Sequence, residues 1–457
     1  MTRARLAPVT LPDFGVPGSM PAIPAEMYAA RLEGARERAA AMGYDLLVVY
    51  ADREHSANLS YLTGFDPRFE EAVLLLGREG DPAILVGNEC YGMAGAAPLP
   101  MRRHRFQDLS LTGQPRDRSM PLETILADEG VRRGARVGVA GWKSYARRDW
   151  LEVPAYLVDA LRALVGENGL VENANGLFID NRDGLRTSSE VEQIVTFEYA
   201  ACHTSEGVKR LIHGLRPGMT EQECVRLLDW NGMPLSCHLM LSSGPRASLG
   251  LLSPSDRVIE RGDPFTTAFG VWGALNCRAG FVVASASELP AAIRDYVARL
   301  VAPYFEAVAE WYMALRIGQT GGTLHEIIAR RLADPFFGIS LNPGHLLHLD
   351  EWVNSPVSTG STIELRSGMA MQVDIIPATG TDYFTTNIED GIALAHEGLR
   401  GELADRFPSA WKRIQARRAF MREALGIELH DDVLPLSNIP AYLAPFLLSP
   451  DQVMTLA

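Results

Sequence analysis

Cysteine is scarce in this sequence, basic clusters are missing and no long apolar run occurs. The five cysteines (Cys90, Cys202, Cys224, Cys237, Cys277) are odd in number and form no CxxC pair. A disulfide framework is therefore not expected, and reduced thiols in a cytoplasmic protein are. No stretch approaches the roughly 18 apolar residues that a membrane-spanning helix needs. The opening MTRARLAPVTLPDFG carries early positive charge without an apolar stretch behind it, so a secretory signal is not expected. Lys and Arg are scattered and the net charge is −13. Nucleic acid and membrane surfaces are thus excluded as expected partners, and a small cationic or zwitterionic substrate is favoured. Internal repeats and low-complexity segments are also absent.

What is present is a globular composition, 47% apolar and 22% charged, over 457 residues, long enough for two domains. After a Pro-rich arm (7–24), MYAARLEGARERAAAMG has helical apolar spacing and stops at Gly43. YDLLVVYA reads as a strand, NLSYLTGF as strand and turn, and EEAVLLLG, DPAILVG and ARVGVAG as further strands. With a helix near 150–166, this predicts an α/β domain ending near residue 180. In NRDGLRTSSEVEQI the SSE segment is expected to N-cap a helix over 190–214, and Thr220 to cap TEQECVRLLDW after the turn at Pro217–Gly218. The second half reads as α+β. A hairpin is expected at 264–284, helices at 288–316 and 323–334, strands near 371–377 and 385–395, and a basic tail helix at 410–425.

Several segments in fixed order resemble the pita-bread superfamily of creatinases, prolidases, proline-specific aminopeptidases and methionine aminopeptidases. They are SYLTGF (60–65), RPGMTEQE (216–223), SSGPRAS (242–248), RGD (261–263), NPGHLLHLDEW (342–352), SGMAMQVDIIP (367–377) and NIEDGIAL (387–394), spanning roughly residues 28–400. The resemblance implies an N-terminal creatinase-like α/β domain (1–182), a C-terminal pita-bread domain (183–400) and a helical extension (401–457). In metal-dependent members a dinuclear centre uses two hairpin aspartates, one histidine and two glutamates. Carried over, these positions are Ala268, Ala279, His345, Asp374 and Glu389, and two substrate-handling histidines fall on Leu251 and Trp352. Without the hairpin carboxylates a two-ion site is not expected, and prolidase activity is not either. Creatinases cleave a C–N bond without metal, but their catalytic histidine aligns with Leu251 and their hairpin glutamate with Phe281.

The candidate catalytic residues are His345, Asp374 and Glu389. An imidazole near its ordinary pKa exchanges protons at neutral pH, although a histidine satisfied by a backbone carbonyl is the alternative. Two carboxylates in an apolar pit repel, so one should have a raised pKa unless a substrate ammonium, Arg278 or a metal lies between them. A plain salt bridge to Arg278 or Arg366 is the competing reading. Asn276, Arg278, His348, Glu351 and Trp352 are the candidate substrate-binding residues, the Arg278 fork suiting a substrate carboxylate. Strand alternation places Cys277 opposite Asn276 and Arg278, and hence in the packed layer behind the pocket. His348 has a structural alternative, and so does Trp352, whose face would otherwise suit a quaternary ammonium. The expected function is a creatinase-like, metal-independent hydrolase or lyase acting on a small polar non-peptide molecule, in a cytoplasmic homodimer without cofactor. A single divalent metal at His345, Asp374 and Glu389, a peptidase-like metallohydrolase, and a non-catalytic binding protein are the alternatives.

Overall fold

The computed structural model describes residues 3–456. The chain divides into two compact units, one formed by 23–186 and the other by 1–22 together with 187–457. The arm β1 (Ala4–Pro8), expected with the first domain, thus belongs to the second unit. The 401–457 segment is integral to that unit and not an extension.

The 23–186 unit is built on a six-stranded mixed sheet. Its strands are β2 (Leu46–Ala51), β3 (Ala72–Gly77), β4 (Ala83–Val86), β5 (Arg102–Arg105), β6 (Arg136–Ala140) and β7 (Leu170–Asn173), in the order β5-β4-β3-β2-β6-β7. The central strands are near-continuous Val, Leu and Ile because both faces are covered. NLSYLTGF is a correction: Ala57–Thr63 form a helix, every residue of it buried. The Thr63 hydroxyl donates to the Leu59 carbonyl one turn back, and Gly64 closes the helix in the left-handed region at φ 69°.

The second unit is organised around a seven-stranded antiparallel sheet. It contains β8 (Met240–Ser243), β9 (Pro264–Val271), β10 (Ala274–Phe281), β11 (His345–Leu346), β12 (Ala370–Asp374), β13 (Asn387–Leu394) and β14 (Val433–Pro435). The order is β11-β12-β13-β10-β9-β8, with β14 also on β13. The last strand, β15 (Gln452–Leu456), pairs antiparallel with β1.

The longest helices of the unit are 191–214, 302–314 and 408–423. The first is not capped by SSE. Glu190 is the N-cap residue and its side chain makes no capping bond, while Ser188 donates to the Ser367 carbonyl. Thr220 does cap its helix, in a reciprocal capping box with Glu223. Instead of one helix over 288–316, short turns lead through a π-helical turn at Val297–Val301 into Ala302–Ala314. Among the described residues no helix is long and apolar enough to cross a membrane.

Candidate active site

The hairpin of β9 and β10 turns on Trp272 and Gly273. Gly273 is required twice over: its φ is +90°, and a Cβ there would come within 2.5 Å of Phe197. Directly opposed residues on antiparallel neighbours share a face, so the register assigns side chains to faces. One row runs Met240, Ala268, Cys277, Glu389 and Asp374 across β8, β9, β10, β13 and β12. The adjacent row contains Gln372 and His345. On the other side lie Thr266, Ala279 and Asn387. Ala268 and Ala279 therefore stand on the same face as Glu389 and Asp374, and neither supplies a carboxylate there.

His345 enters this face through Gly344, whose φ of +121° and close approach to Trp311 (2.9 Å from a built Cβ) exclude a side chain. The chain then folds back on itself through bonds from Val353 N to the Leu346 carbonyl and from Leu346 N to the Asn354 carbonyl. That turn brings Glu351 and Trp352 over the imidazole. Trp352 stacks on His345 with centroids 4.1 Å apart and planes 19° from parallel. His345 Nε2 lies 3.2 Å from Glu351 Oε1, 3.5 Å from Glu389 Oε1 and 3.8 Å from Asp374 Oδ2. Its Nδ1 donates to the Leu346 carbonyl at 3.2 Å, which aims Nε2 at the carboxylates. Cys277 donates its thiol hydrogen to Glu389 Oε2 at 2.7 Å. His345 Nε2, Asp374 Oδ1 and Glu389 Oε1 are buried without an aligned hydrogen-bond partner.

The electrostatics follow from this crowding. Burial alone would lower the His345 pKa, but the Glu351 and Glu389 carboxylates outweigh it and raise it to about 10. Asp374 is pushed well up, first by burial and then by the Glu389 charge. Burial also raises Glu389, against the opposing pull of the nearby His345 imidazole and the Cys277 thiol. The Cys277 thiol rises for the same reasons, burial first and then Glu389. Without a bound cation, all three cluster groups hold protons more tightly folded than unfolded, so stability falls as pH rises. The His345 contribution is complete below its ordinary 6.5 and lost as pH climbs through about 10. Asp374 and Glu389 act in the same sense from their ordinary carboxylate range upward. Thermal unfolding in chelator should therefore show Tm falling between about pH 6.5 and 10, and a tightly bound divalent cation should flatten that slope; a profile that rises with pH would contradict it.

Three expectations need correction. Asn276 and Arg278 do not line the pocket. They point to the opposite face, where Arg278 Nη2 pairs with both oxygens of Asp390 at 2.9 Å and its Nε donates to the Tyr442 carbonyl at 2.7 Å. Asn276 donates to Asp390 and Ser437 and accepts from Thr204. Cys277, expected in the layer behind, is the pocket-facing residue of the trio. His348 lies edge-on against Phe197, centroids 5.2 Å apart. Gln372 is a pocket-face residue that sequence reasoning missed; its position two before Asp374 on a strand was the available signal.

The Metallopeptidase family M24 profile matches residues 196–454, more than half of the chain. The chain belongs to metallopeptidase family M24. Membership places it in the pita-bread superfamily. It is 27% identical over 229 residues to the uncharacterized peptidase YqhT of Bacillus subtilis (strain 168), covering 47% of this chain and 62% of that relative. The chain thus spans less than two thirds of that relative's length. The prolidase of Pyrococcus horikoshii OT3 superposes with a TM-score of 0.62 at 17% identity, over 80% of this chain and 95% of its own. For the X-Pro aminopeptidase of Thermotoga maritima the TM-score is 0.64 at 14% identity, over 90% and 98%. At these identities the structural likeness is one of fold.

The donor set decides how much metal this M24 member fits. Two ions need bridging carboxylates, and Ala268 and Ala279 supply none on the hairpin side. One ion fits. His345, Glu351 and Glu389 offer ligand atoms all within 4.8 Å of one another. Bonds of about 2.1 Å put neighbouring ligands roughly 3.0–3.4 Å apart, close to the 3.2 and 3.5 Å from His345 Nε2 to the two glutamates.

Proposed function

We propose that this M24 hydrolase is a one-cation enzyme acting on a small polar, non-peptide substrate. His345, Glu351 and Glu389 would hold a divalent ion, with Asp374 beside them. The observation carrying this reading is that His345 Nε2 and Glu389 Oε1, each buried without an aligned hydrogen-bond partner, lie 3.5 Å apart, with Glu351 Oε1 3.2 Å from the same nitrogen. Acceptors gathered this way repel unless a proton or a metal lies among them. When bound, such an ion polarises a substrate oxygen or lowers the pKa of a water.

The remaining work belongs to the side chains. The Leu346 carbonyl fixes the His345 tautomer, and Trp352 holds the ring plane. Glu351, its side chain 23% exposed against 6% for Asp374 and 4% for Glu389, is the member at the mouth. With the ion on His345 Nε2 that nitrogen has no proton to give, so a leaving group that needs one would meet Asp374, whose pKa burial and the Glu389 charge push up.

One observation favours a second reading. With its pKa near 10, His345 carries its own proton when no metal is bound. In a metal-independent, creatinase-like hydrolase or lyase, the cationic head of the substrate would then sit among the three acids. Calorimetric titration of chelator-treated protein with Mn²⁺, Co²⁺ and Zn²⁺ separates the readings. One equivalent per chain is expected. Two equivalents would overturn the one-cation site, and none would leave the substrate-cation reading.

A further inference from the structure

Glu389 is the acid whose two oxygens are in different situations. Oε1 faces His345 Nε2 at 3.5 Å without a donor, while Oε2 accepts from Cys277 Sγ at 2.7 Å. The register makes this contact a property of the sheet, because Cys277 and Glu389 are direct partners across β10 and β13. The sulfur is 5% exposed at residue level and otherwise packs among Met240, Ala268, Leu275 and the partly buried Cys237. These neighbours are apolar or weakly polar, so the carboxylate is the strong acceptor within the thiol's reach. A carboxylate only accepts, so the shared proton belongs to the sulfur. A carboxylate rotates about its terminal torsion over a broad range unless something holds it. On the hairpin side Cys277 is the residue that does so, and its cross-strand partner Ala268 has no donor to offer.

We propose that Cys277 is a positioning residue: its S–H anchors Glu389 Oε2 and thereby presents Oε1 to the cation pocket. A hydrogen-bond donor at position 277 is then a requirement of the site, not a packing choice. The inference rests on the one-cation reading for its effect on binding, but the hydrogen bond itself does not.

Two measurements keep these apart. Native protein, Cys277→Ser and Cys277→Ala are titrated with Co²⁺, with circular dichroism and Tm recorded for each. Serine keeps a donor and is expected to bind within a few-fold of native. Alanine loses it and is expected to bind about tenfold or more weakly, the scale for losing an outer partner of a metal ligand. Equal affinity of native and Cys277→Ala would overturn the proposal, and so would a sulfur-to-cobalt charge-transfer band that Cys277→Ser lacks, since the sulfur would then be a ligand. If native protein binds no Co²⁺, the one-cation reading fails on its own, and the infrared S–H stretch decides the rest. The band absent from the Cys277→Ala spectrum should be shifted down, as for a thiol bonded to a carboxylate; a free-thiol position would overturn the hydrogen bond.

Discussion

Replacing Arg278 by alanine is expected to cost about 3–5 kcal/mol of stability, the scale for breaking one side of a buried ion pair. Asp390 would be left at 1% side-chain exposure without its counter-charge, where burial already pushes its pKa up even with the guanidinium present. The loss extends beyond the pair. Arg278 also donates to the Tyr442 and Ile439 carbonyls, and Asp390 accepts from Ala441 N, so one arginine ties the 437–442 segment to the back of the sheet. Ala441 sits there at φ 53°, a strained position for alanine that these bonds must hold. Urea unfolding measures the loss. The double variant Arg278→Met with Asp390→Asn should recover part of it, because removing both charges leaves no uncompensated ion. Where the single variant stays folded, cation binding should be unchanged. Native stability with lost binding would return Arg278 to the pocket.

His345→Ala should have the largest effect on the site itself, weakening divalent-cation binding on the order of a hundredfold or more. Losing a partner outside the ligand sphere costs about 10–100-fold, and a direct ligand lies at or above the top of that range. The imidazole is the one nitrogen donor in a set otherwise made of carboxylates, and its backbone bond to Leu346 pre-orients it. Its removal should also make the fall of Tm with pH shallower in chelator, since the group with the pKa near 10 is gone. Unchanged cation affinity in this variant would sink the assignment, and an unchanged pH slope would mean that the imidazole does not carry the proton.

Period-two alternation in GALNCRAG already separated Cys277 from Asn276 and Arg278, and the order of motifs from SYLTGF to NIEDGIAL already carried the family, the hairpin and the missing carboxylates at Ala268 and Ala279. His345, Asp374 and Glu389 were legible because motif order locates a position however far the chain must fold to use it. Which face of β10 meets the pocket was not legible, because all eight of its residues are buried and polarity no longer distinguishes inside from outside. Asn276 and Arg278 are polar because they satisfy Asp390 and the tail carbonyls, and that demand comes from residues more than 100 positions away. Glu351 and Trp352 reach His345 only because a turn doubles the chain back over it. The pairing of β1 with β15 likewise joins Ala4 to Leu456, a contact that no local window contains. Local pattern determines what each segment prefers; which side chains share a buried space is decided by long-range pairing and by where buried charges find partners.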